Sequence, residues 1–214
     1  ALRAQGVVKP MPSEAQLKGR QRIWNASTFL LSLFVFCLSL SVSFSTETLI
    51  IVVAALLFHE LGHLLGMKIF GYRDLKLLFL PFLGAVAVGR RLVVPVRQRV
   101  LIYLLGPVPG VALGILGLVY AATYGPGLVR DASGILLMIN AFNLLPVMPL
   151  DGGRVVNDLL FARRPVIEGI FGVVGGVLLL LWGLQVESQV LAIYGVVLAV
   201  LQLARLRERG VRQR

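Results

Sequence analysis

Polar and apolar residues are sorted along this chain into long blocks, with none of the short rhythm that marks a half-buried strand or the surface helix of a soluble domain. Apolar blocks of about 20 residues, the length a helix needs to cross a bilayer, fall near 24–44, 49–70, 99–122, 132–148, 166–184 and 189–204. They predict an all-α polytopic membrane protein of about six transmembrane helices. The run from Leu77 to Val88 does not fit the series, being too short to span and holding Pro81 and Gly84 among small and branched residues. It predicts a short re-entrant β strand or loop, tolerated at membrane depth only where protein or a wet cavity satisfies its backbone.

Composition agrees with a membrane chain. Of 214 residues, 57% are hydrophobic, and the mean hydropathy is +0.87; a soluble domain is nearer ~45–50% apolar. The net charge of +11 raises the question of nucleic acid, but the distribution of basic residues argues against it. Five lie before the first helix, seven between the second and third, three after the fourth and five after the sixth, so 20 of 21 share one side and Arg130 alone takes the other. By the positive-inside rule this predicts a multi-pass protein of the cell membrane with both termini cytosolic. The basic loops then orient the chain and meet anionic lipid of the bilayer, and no nucleic acid partner is expected. Residues 1–23 read as a basic cytosolic tail, 24–204 as the six-helix membrane domain, with its first span a signal anchor, and 205–214 as a second basic cytosolic tail. Cys37 is a small packing residue in the first span.

Candidate chemistry is concentrated in the second span. His59-Glu60-Leu61-Gly62-His63 holds both histidines of the chain, four apart, so they stack on one helical face with Glu60 in the same arc. Two neutral imidazoles at this spacing can take two corners of a zinc tetrahedron, and a neighbouring glutamate can take a proton from the attacking water. Ionisable groups are costly inside a bilayer unless partnered, which argues for function over packing. Gly62 and Gly66 form a small-xxx-small pair that admits another helix and, with it, a third ligand. Gly106-Pro107-Val108-Pro109-Gly110 will kink or unwind the third helix. Asp151 emerges at the depth of His63 and can complete the site; its other reading is an N-cap for the segment 152–161, in which Arg154 and Asp158 make an i,i+4 pair. Asn140 and Asn143 can hydrogen-bond across helices, or one can hold a substrate carbonyl.

Two motifs together, His59-Glu60-x-x-His63 in one span and Asn143-x-x-Pro146-x-x-x-x-Asp151-Gly152 after a later one, resemble the site-2 protease family of intramembrane zinc metalloproteases, over a catalytic core of about 49–153. The resemblance implies one Zn²⁺ ion held by His59, His63 and Asp151, Glu60 as general base and Asn143 assisting at the active site. It also implies an intramembrane zinc metalloendopeptidase that cuts a transmembrane segment near the cytosolic side. The partner would be a single-pass membrane-protein substrate such as an anti-sigma factor or signal-peptide remnant. Many members carry an asparagine where this chain has Gly110. Two rivals stand beside this reading: a membrane zincin with Glu168 as third ligand, and a metal transporter or inactive scaffold built on the same helices.

Overall fold

The computed structural model describes residues 14–81, 84–125, 127–161, 164–185, 187 and 189–212. A long first helix, α1 (Glu14–Leu40), is followed by α2 (Thr46–Ile69), a hairpin of β1 (Arg73–Leu80) and β2 (Gly84–Arg90), then α3 (Val96–Leu105), α4 (Pro107–Tyr124), α5 (Leu128–Asn143), α6 (Asp151–Val156), α7 (Pro165–Gln185) and α8 (Gln189–Arg212). Helix α1 is helical well upstream of the expected span and α8 well past it. Residues 1–13 of the expected N-terminal tail lie outside the described residues.

Among the described residues three stretches are long and apolar enough to cross a membrane: Thr46–Ile69, Val96–Tyr124 and Val166–Gln185. Asn25–Leu40 and Ala192–Ala204 are shorter apolar helices. Leucine, isoleucine, valine and phenylalanine side chains stand exposed along these helices, for example Leu31, Phe34, Leu116, Leu181 and Val200. An apolar exterior of this extent requires an apolar solvent; the chain is a membrane protein.

The expected single strand or loop over Leu77–Val88 is a two-stranded antiparallel hairpin. It starts earlier, at Arg73, because strand pairing gives two segments too short to span a way to satisfy each other's backbone. Phe79 is buried between Phe29 and Phe36 of α1, with ring centroids 6.0 and 5.1 Å away, so α1 clamps the hairpin on its β1 side.

Glycines set the helix spacing. A Cβ at Gly62 would meet the Leu105 carbonyl oxygen at 2.1 Å, so the small pair of α2 does admit a close neighbour, and that neighbour is α3. Helix α3 brings no carboxylate; the candidate third ligand arrives from α6, which packs on α3. Pro107 and Pro109 lack the N–H groups that Tyr103 and Leu105 would bond in a continuous helix, and the helix divides at Gly106. The fourth expected span, α5, stops at Asn143, short of the expected 148, and residues 144–150 return irregularly to α6.

Candidate metal centre

Each residue of the centre is delivered by a separate piece of this architecture. Helix α2 opens with Ser45 accepting from the Thr48 N–H, with Glu47 in its first turn and Lys68 in its last, charges that suit the helix dipole at both ends. His59, Glu60 and His63 lie on its inner face, 3%, 6% and 6% exposed, and one ligand atom from each falls within 4.8 Å of the others. Asp151 is the first residue of α6, with Leu150 at the cap position. Its carboxylate therefore does not serve as the N-cap; Oδ2 lies 3.1 Å from His59 Nε2 and 3.1 Å from His63 Nε2, which are themselves 3.0 Å apart.

The tautomers decide what this triangle can hold. His63 Nδ1 lies 2.8 Å from the Ile102 carbonyl oxygen, which only accepts, so Nδ1 carries the proton and Nε2 a lone pair. His59 Nδ1 lies 2.8 Å from Asn140 Oδ1, with the same consequence. Three electron pairs, two from imidazoles and one from a carboxylate, thus converge without a proton to share, an arrangement that favours a cation. A tetrahedral zinc with bonds of roughly 2.0–2.1 Å sets its ligands about 3.3–3.4 Å apart, within a few tenths of an ångström of the observed edges. The donor set fits Zn²⁺.

A cavity of about 370 Å³ opens beside the triangle, lined by Glu60, Asn143, Tyr103, Arg154, Tyr194 and the β2 residues Ala85, Val86 and Ala87. Ala87 of β2 and Glu60 of α2 share the wall of this cavity. Asn143 Nδ2 donates to the Ile139 carbonyl oxygen at 2.9 Å, which fixes the carboxamide on the cavity wall. Glu168 lies in the first turn of α7 and is not among the residues around the cavity. The expected Arg154–Asp158 pair does not form. Asp158 instead accepts from Arg99 Nε at 2.7 Å, because the chain widens to a single π-helical turn over Asn157–Phe161, and Arg154 lies over the Tyr103 ring, 5.8 Å from its centroid. Sequence reading missed the Ile102 carbonyl, as a main-chain group has no residue signature.

A zinc metalloprotease of Methanocaldococcus jannaschii is 32% identical over 116 residues, covering 52% of this chain and 33% of that protein. Solved coordinates of the site-2 protease from the same organism superpose with a TM-score of 0.58 at 25% identity, covering 84% of this chain and 88% of that one. In sequence and in fold the chain is similar to site-2 proteases. Stage IV sporulation protein FB of Bacillus subtilis is 28% identical over 123 residues, 55% of this chain and 41% of that protein. The chain thus spans well under two thirds of the curated relatives it matches. No protein-family model matches it. Where many members of the site-2 protease family carry an asparagine, Gly110 lies against Asn140, whose carboxamide would be 2.3 Å from any Cβ at position 110.

Proposed function

We propose that this protein is an intramembrane zinc metalloendopeptidase that hydrolyses a peptide bond in a transmembrane segment of another membrane protein, near the cytosolic side of a six-span bundle with cytosolic termini. The observation that carries the reading is the convergence of His59 Nε2, His63 Nε2 and Asp151 Oδ2 at 3.0–3.1 Å beside Glu60.

In this reading His59, His63 and Asp151 hold the ion. Zinc, when bound, supplies a Lewis acid that acidifies water and polarises the scissile carbonyl. Glu60 takes the proton of the attacking water and passes it to the leaving amine, a transfer its position within 4.8 Å of the imidazole nitrogens supports. Asn143 steadies the substrate carbonyl from the cavity wall. A helical substrate must unwind to expose a peptide bond, and its freed main chain needs partners in a medium that offers none. The β2 edge facing the cavity provides them, so the substrate adds as a strand and its side chains meet small pockets. The resemblance to site-2 proteases makes the substrate a single-pass membrane protein, such as an anti-sigma factor or a signal-peptide remnant.

The test is incubation of the purified protein with a panel of single-span substrates in detergent and in liposomes, with and without a zinc chelator. Chelator-sensitive cleavage within the span is expected. Metal flux into sealed liposomes without cleavage of any substrate would instead favour the transporter reading.

A further inference from the structure

Asn140 has no solvent exposure, and both ends of its carboxamide are committed. Nδ2 donates to the Leu136 carbonyl oxygen at 2.7 Å, which turns Oδ1 towards His59 Nδ1 at 2.8 Å. The flip of the amide is therefore set by the backbone of its own helix. Its outer face is pressed by α4 at Gly110, where a Cβ would come within 2.3–2.5 Å of the carboxamide atoms. Neighbouring steps of the same helix pair are as close, with Gly114 against Leu137 and Gly117 against Ser133, so the seam between α4 and α5 holds the amide like a wedge.

We propose that Asn140 is a positioning residue for the metal centre: held by Leu136 and by the glycine seam of α4, it locks His59 in the tautomer and orientation that present Nε2 to zinc. This rests on the zinc-site reading above. Gly110 takes part because only a residue without a side chain leaves room for the carboxamide. His63 receives the same service from the Ile102 carbonyl, so the two imidazoles are oriented by different helices, α5 and α3. Partners that orient a ligating histidine in this way raise metal affinity by roughly 10–100-fold.

The experiment measures zinc affinity of the purified full chain by competition with a chelator, and the visible absorption of bound Co²⁺ as a signature of ligand geometry. Asn140→Leu keeps the volume and removes the acceptor; it should weaken zinc by about 10–100-fold and alter the Co²⁺ spectrum. Asn140→Asp keeps an acceptor for His59 while losing the bond to Leu136, so it should weaken zinc clearly less than Asn140→Leu does. Parent-like affinity in Asn140→Leu, or equal loss in both variants, overturns the proposal. If thermal unfolding of the metal-free protein shows that Asn140→Leu does not fold, Gly110→Ala decides, since it displaces the amide without touching His59. A folded Gly110→Ala with parent affinity overturns the proposal too. A parent that binds no zinc would sink the metal-centre reading itself, which separates the two failures.

Discussion

The Phe79 backbone N–H donates to Ser32 Oγ at 3.1 Å, so the outer edge of β1 is taken by helix α1. Phe79 faces Ala85 and Leu77 faces Ala87 in the hairpin. An N–H that points away from the partner strand marks a non-hydrogen-bonded pair, and two residues along, at Leu77 and Ala87, the same parity recurs. Ala85 and Ala87 therefore turn their main-chain groups to the cavity, while Val86, opposite Leu78, bonds within the hairpin.

Proline at Ala85 should abolish cleavage with zinc content and thermal stability unchanged, since it removes a donor from the open edge and none from the ladder. Proline at Val86 should lower stability, because it breaks a ladder bond to Leu78. Proline at Ala87, which has the same parity, should also abolish cleavage. Full activity in Ala85→Pro would exclude pairing of the substrate along β2.

Glu60→Gln should keep the fold and the zinc while cleavage falls by at least 10²-fold, the usual contribution of a positioned general base. Gel-based cleavage of a single-span substrate, paired with metal analysis of the same sample, checks it. Activity within tenfold of the parent would remove Glu60 from the mechanism.

His59→Ala, His63→Ala and Asp151→Ala should each lower zinc occupancy, because each takes one donor from a three-point set. Glu168→Ala should leave it unchanged. Metal analysis after dialysis distinguishes the four; a zinc-replete Asp151→Ala beside a zinc-poor Glu168→Ala would exchange the roles of those carboxylates.

Gly62→Val should destabilise the protein by at least roughly 1–3 kcal/mol, the cost of forcing extra carbons into a packed contact, since even a Cβ there reaches the Leu105 carbonyl oxygen. Separation of α3 from α2 also draws the Ile102 carbonyl from His63, so zinc affinity should drop together with the unfolding temperature. Parent-like values of both would show that the contact yields.

Local spacing carries much of the centre. His59, Glu60 and His63 share a face because a helix repeats every 3.6 residues, and their cost in a bilayer makes them stand out from apolar surroundings. The apolar blocks likewise anticipate the helices, with ends displaced where the block and the helix are different things. Helix α5 stops at Asn143 while the apolar run continues to Met148, since an apolar run marks a medium or a partly covered surface and does not by itself require a helix. Charge pairing was misread at Asp158, because the i,i+4 rule assumes an unbroken α-helix and the π turn removes that premise.

By itself the sequence determined that the chain inhabits a membrane, that its two histidines and a glutamate face one way, and that the third helix must break at its prolines. These follow from period, polarity and a missing N–H, all properties of neighbours along the chain. Only the tertiary structure decided that Asp151, 88 positions after His63, reaches it, that α3 offers a carbonyl and α5 an amide to the imidazoles, and which main-chain groups of β2 look into the cavity. Those choices depend on where glycines let helices touch and on which strand edge α1 covers, contacts between residues far apart in sequence whose pairing no local pattern encodes.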